Sequence, residues 1–146
     1  MSRAAETMIH AVKSDTLTGQ FVVSDSFVHP KKCLIKSVTV VGHNPADADS
    51  DTVALDISYS TDGFSSSDVE VAAIVAVEYN DTDNTAAIVA ETPKDIALTP
   101  AAVSTVGGDS VVELPAGANL KTTITWTGSP ADGSIDVLIE YIPVGP

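Results

Sequence analysis

Alternation of apolar and polar residues recurs along the chain and predicts its elements. Over 53–60 the odd positions are Val53, Leu55, Ile57 and Tyr59, and the even ones Ala54, Asp56, Ser58 and Ser60. Successive side chains of a strand point to opposite faces, so this pattern predicts a strand with one wet face. Over 120–127 Leu120, Thr122, Ile124 and Trp126 share one face and Lys121, Thr123, Thr125 and Thr127 the other, which turns Trp126 inward. Ile135, Val137, Ile139 and Tyr141 alternate with Asp136, Leu138, Glu140 and Ile142 in a final strand that Pro143 is expected to halt. Leu138 and Ile142 on its second face imply cover on both sides, by the body or by a neighbour.

Periodicity decides the alanine-rich stretch 67–79. A helical stripe through Val71, Ile74 and Val75 would bury Glu78, whereas a strand groups Val69, Val71, Ala73, Val75, Val77 and Tyr79 with both glutamates opposite. A strand is therefore expected there, and another over the Val- and Ile-rich run 32–42. Asp62-Gly63, Gly107-Gly108, Pro115-Ala116-Gly117 and Asp132-Gly133 supply turn residues between such runs, with Gly107-Gly108 reading as a two-residue hairpin loop. Helix signals are confined to Thr92-Pro93-Lys94-Asp95 and Thr99-Pro100, one turn each at most. Residues 1–18 read as an N-terminal arm: Ala5, Met8, Ile9 and Val12 have helical spacing, yet 7–12 would also serve as an edge strand. Strands divided by turns, without alternating long helices, predict an all-β fold, a two-layer antiparallel β-sandwich or a barrel, in one domain over 19–146.

Bulk properties narrow the function. The 146 residues make one domain's length, and 44% hydrophobic content is too apolar for a disordered chain. The longest apolar run, 71–77, is far short of the about 20 residues a spanning helix needs, so no membrane association is expected. The first twenty residues hold no apolar stretch of signal-peptide length. Seven bases against 20 acids give a net charge of −13, unevenly spread. Five of the bases (Arg3, Lys13, Lys31, Lys32, Lys36) fall in residues 1–36 with three acids, and the remaining 17 acids face only Lys94 and Lys121. Such a field repels phosphate backbones, so no nucleic-acid partner is expected of the main body.

Candidate chemistry is sparse. Asp47, Asp49 and Asp51 have the alternate spacing by which carboxylates converge on a hard cation, but the calcium-loop pattern fails at Thr52 and Ser58, and a solvated loop is the simpler reading. Asn80-Asp81-Thr82 is formally a glycosylation acceptor in a second acidic loop. His10, His29 and His43 lie too far apart for zinc spacing, and the single Cys33 has neither a disulfide partner nor a histidine beside it in sequence. No nucleophile elbow or phosphate-cradling glycine loop occurs, and aromatic residues at 5% are few for a sugar-cleaving site. No catalytic, cofactor-binding or metal site is assigned, no cofactor is expected, and an enzyme is not the expectation.

The segment 111–126, Val-Val-Glu-Leu-Pro-Ala-Gly-Ala-Asn-Leu-Lys-Thr-Thr-Ile-Thr-Trp, followed by a glycine turn and 135–143, resembles the closing hairpin of small jelly-roll proteins of tailed bacteriophages, the capsid decoration (cement) and head-fibre proteins. That resemblance covers about 35 residues. It implies a jelly-roll-like form of the β-sandwich and a non-enzymatic virion structural protein on the capsid surface, made in the host cytoplasm, with the major capsid protein as partner and a homotrimer as its assembly. Decoration proteins of this sort clamp neighbouring capsid subunits through a terminal arm, here 1–18 with Arg3 and Lys13. The alternative is a fibre-associated carbohydrate- or receptor-binding β-sandwich module, for which Trp126 would have to be an exposed sugar platform rather than core.

Overall fold

The computed structural model describes residues 6–15, 21–43, 52–66, 68–78, 88–89, 91–127 and 134–144. Its strands are β1 (Met8–Asp15), β2 (Phe21–Val28), β3 (Lys32–His43), β4 (Thr52–Ser60), β5 (Val69–Glu78), β6 (Lys94–Ile96), β7 (Val103–Val106), β8 (Asp109–Leu114), β9 (Asn119–Thr127) and β10 (Ser134–Val144). They form two antiparallel sheets packed as a sandwich. One sheet runs β1-β10-β3-β8-β7 with β6 also on β3, and the other runs β2-β9-β4-β5.

The winding follows from the pairings. β4 pairs with β5, β3 with β8, β2 with β9 and β1 with β10, all antiparallel, so the chain doubles back on itself as one long hairpin with β4·β5 at its tip. Rolling that double ribbon brings β10 against β3 and β9 against β4, which closes two four-stranded layers. This is the jelly roll. β6, a single 3-10 turn at Pro100–Ala102 and β7 are inserted between β5 and β8.

The inward rows make one continuous core. Val53, Leu55 and Ile57 of β4, Leu120, Ile124 and Trp126 of β9, and Ile135, Val137 and Ile139 of β10 are all buried, as their alternation predicts. Trp126 is fully buried, and its indole Nε1 donates to the Ser14 hydroxyl at 2.9 Å, tying β9 of one sheet to β1 of the other. The turns agree as well. Gly107 and Gly108 have φ of 60° and 89°, the two left-handed positions of a type I′ hairpin turn.

Several expectations are corrected. The segment likened to a closing hairpin is none: β8 and β10 lie in one sheet and β9 in the other, so the chain crosses the sandwich twice there. Pro143 does not end the last strand, which continues to Val144 with Pro143 opposite Cys33. β1 reaches β10 only as far as Tyr141, so at Pro143 that side of β10 carries no ladder and a missing N–H is tolerated. Thr92-Pro93-Lys94-Asp95 makes no helical turn, because Lys94–Ile96 pairs with β3. Thr99-Pro100 does start a 3-10 turn, though the Thr99 hydroxyl donates to Glu70 at 2.7 Å instead of capping it. Of the arm expected over 1–18, residues 8–15 form β1 and are paired along their whole length with β10, with Val12 and Ser14 buried. Asp132-Gly133 lies outside the described residues.

β5 is a strand, as expected, but its faces are not those of simple alternation. Its register against β4 shifts twice, between Val53 and Leu55 and between Ile57 and Ser58. Each shift inserts one extra residue on β5, a β-bulge that flips the facing downstream. Val71 and Ala72 are consequently both buried, Ile74 and Val77 pack on the core, and Val75, which alternation would bury, is 87% exposed. Val71→Ala should lower the unfolding free energy by roughly 2 kcal/mol, from two lost methylene equivalents plus a cavity term, whereas Val75→Ala should stay within about 0.5 kcal/mol of the parent. Urea titrations of the two variants check the bulged register; equal losses would restore the unbroken one.

Candidate functional site

Among the described residues the strands place histidine–carboxylate pairs, clefts and exposed apolar side chains in view. Among the described residues no group of three or more His, Cys, Asp or Glu side chains converges as a metal site would require. Asp47, Asp49, Asp51 and Asn80-Asp81-Thr82, singled out in the sequence, lie outside the described residues, as does Arg3. Cys33 is fully buried with its thiol directed to the Lys31 carbonyl at 3.4 Å, and burial pushes its pKa up, away from a nucleophilic thiolate. Tyr141, with its pKa likewise raised by burial and then by proximity to Cys33, closes the same region.

Each of two histidines is bound to carboxylates distant in sequence, a relation no local spacing signals. His10 of β1 meets Asp25 of β2 with 2.6 Å between Nε2 and Oδ2, and its ring lies 4.4 Å from that of Phe27. That contact bridges the two sheets along one flank of the sandwich. Phe27 continues it, 5.2 Å from Tyr141 and 6.2 Å from His29. His43, at the end of β3, has Nε2 at 2.7 Å from Asp136 and Nδ1 at 3.4 Å from Glu91. The hydrogen bond with Asp136, opposed by desolvation and helped by Glu91, raises the His43 pKa above its ordinary value. Glu91 is held there with φ of 61°, its N–H donating to the Gly42 carbonyl at 2.7 Å.

The basic residues of the first quarter do not gather. Lys13 faces out from β1 opposite Asp136 in the ladder, Lys32 pairs with Glu113 at 2.7 Å and holds that carboxyl below its usual range, and Lys36 sits at a bulge of β3. Beside Lys36 a cleft of about 560 Å³ opens where β3 passes from β8 to β6, with Val38, Ile96, Leu98 and Val103 among its walls. A second cleft, also about 560 Å³, includes Tyr59, Lys32 and Glu113, the last two already paired with each other.

Among the described residues the most exposed large apolar side chains stand at two places. Met8 and Ile9 of β1 and Val28 of β2 are 45%, 63% and 56% exposed on the flank that His10 and Asp25 bridge. On the opposite flank the bulges of β5 leave Val75 bare beside a shallow groove of about 320 Å³ lined by Ala54, Ala73 and Thr125. Alternation assigns Val75 to the core, so its exposure is not readable from the sequence, whereas an edge strand at Met8 and Ile9 is one of the two readings that 7–12 allows. No protein-family model, curated protein or solved structure matches the chain.

The His43 cluster sets a pH dependence. A raised folded pKa means that the stabilisation is complete below the unfolded imidazole's pKa of about 6.5 and is lost as pH rises through the folded value. Thermal midpoints measured from about pH 5 to about pH 8 should therefore contain a decline in the upper half of that range. His43→Gln should remove that component, and an unchanged decline in the variant would refute the assignment.

Proposed function

We propose that the protein is a non-enzymatic structural component of a tailed-phage virion, a decoration or cement protein that holds the outside of the capsid shell through surface contacts with the major capsid protein. Two features support this reading. Jelly rolls serve as shell-building domains, though they serve lectins and cupins too, so topology alone does not choose among functions. The observation that carries the choice is Val75. Bulges bend a strand and re-aim its side chains, and here two of them turn a valine in the middle of β5 out to 87% exposure next to a shallow groove that mixes Ala54 and Ala73 with Asp56, Glu70 and Thr125. Bulges recur where a side chain is re-aimed toward a functional contact, and a contact surface would give the re-aimed Val75 a use.

The carbohydrate-binding alternative loses its anchor, because Trp126 is fully buried and its indole bonds to Ser14. The arm of the decoration reading loses Met8–Asp15, which are built into the sheet. Deleting residues 2–18 would accordingly remove an entire strand, so the decisive variant is a point change. Virus particles purified from the source of the sequence should carry the chain in fixed ratio to their major capsid protein, by quantitative mass spectrometry. Particles stripped of it should rebind the parent protein and not Val75→Asp, which keeps its fold because the site is exposed. Absence of the chain from the particles, or equal rebinding of the variant, would overturn the proposal.

A further inference from the structure

Among the described residues the sheets end on β1 and β2 at one flank and on β5, β7 and the three-residue β6 at the other, and these edges are treated differently. β7 is a four-residue edge and β5 carries two bulges, both standard ways of making an edge unfit for further pairing. β1 and β2 have neither. β1 runs against β10 for eight residues in unbroken register, β2 does the same against β9, and among the described residues no strand pairs with the other side of either. Neither holds a proline or a glycine. Both lie on the same flank, joined across the gap by His10 and Asp25, so the two sheets end together.

We propose that a second copy of this chain pairs with this flank about a two-fold axis perpendicular to the sheets, β1 against the partner's β1 and β2 against the partner's β2, so that both sheets run on through the dimer. An antiparallel pair generated by a two-fold satisfies the backbone groups of both edges at once. The register follows from contacts between β1 and the other sheet. His10 reaches Asp25, and Ser14 reaches Trp126, which lies opposite Phe21, so position 12 falls beside position 23 and position 11 beside position 24. An axis at Ala11 and Ser24 places Ala11 facing the partner's Ala11, Ser24 facing the partner's Ser24, and Ile9 facing the partner's Lys13. No like charges then stand directly opposite, whereas a shift to an axis at His10 and Asp25 would set the two Asp25 carboxylates face to face.

Area and charge favour a copy of the same chain. Two eight-residue strands about 27 Å long, on sheets about 10 Å apart with their outer side chains, offer on the order of 500 Å² per copy and about 1,000 Å² in total, the lower bound for a specific interface. Ile9 and Val28, bare in the protomer, lie on these strands. The chain carries a net charge of −13, yet β1 holds Lys13 against Asp15 and β2 holds Asp25 alone, already paired with His10, so like copies repel least along this flank. The inference does not rest on the virion reading, and it replaces the threefold assembly expected from resemblance with a twofold one.

Sedimentation velocity of the native protein should give twice the protomer mass of 15.0 kDa; a monomer at all concentrations, or a trimer, would overturn the inference. Facing Cα atoms in an antiparallel pair are about 4.5–5.5 Å apart, within disulfide reach. Ser24→Cys should thus form a covalent dimer on mild oxidation, with Cys33 buried and silent. A Ser24→Cys protein that sediments as a dimer but does not cross-link would place the interface elsewhere. Ser24→Glu, an exposed change doubled by the two-fold, should raise the dimer dissociation constant at least tenfold with no loss of thermal midpoint measured below that constant. An unchanged constant would refute the register.

Discussion

Everything in the molecule depends on keeping one row of apolar side chains per strand aimed into the gap between two rolled sheets. The roll makes this demanding, because β10 must present Ile135, Val137 and Ile139 inward while pairing with β1 on one side and β3 on the other. A slip of one residue would turn that whole row to solvent. The cross-sheet bond from Trp126 to Ser14 helps specify the alignment, since the buried indole N–H and the buried hydroxyl satisfy each other only when β9 and β1 sit at this height.

Where the row cannot be kept by alternation alone, bulges correct it. In β3 the inward residues are Cys33 and Ile35 before the bulge and Val38 and Val40 after it, so one extra residue at Lys36 changes the parity of the strand while β10 opposite alternates without interruption. The same device acts twice in β5. This is why β4, β9 and β10 were legible in the sequence down to the facing of single residues, whereas β5 was legible only as a strand. A bulge is a relation between two strands, and neither strand's own pattern contains it.

Pairing across long sequence separations was the second blind spot. The rhythm of strands and turns implied a sandwich, and the jelly-roll class was read correctly, but the likeness of 111–143 to a hairpin placed neighbours in sequence together when the roll separates them into different sheets. The histidine–carboxylate contacts escaped for the same reason: His10 and Asp25 are joined by the closing of the flank, His43 and Asp136 by β3 meeting β10. Asp62, by contrast, is a local feature. The hydroxyls of Ser60 and Ser66 and nearby backbone N–H groups hold its carboxyl far below the usual range, fixing the turn after β4 at any pH above the carboxylate's ordinary one and releasing it only as pH falls.

The acidity of the chain bears on how its surfaces can be used. At −13 the net charge penalises any close approach between copies, so self-association is confined to places where backbone hydrogen bonds and apolar side chains outweigh repulsion. Edges satisfy that condition better than faces, because an unpaired strand offers a full ladder of bonds independent of side-chain charge. The sandwich has dulled β5 and β7 and left β1 and β2 straight, which divides its perimeter into one flank fit for continuing the sheets and another that presents a bare valine. A protein whose role is to bind by shape needs such a division, since an edge that accepted every strand would polymerise, and a molecule with no open edge would have only its charged faces to offer.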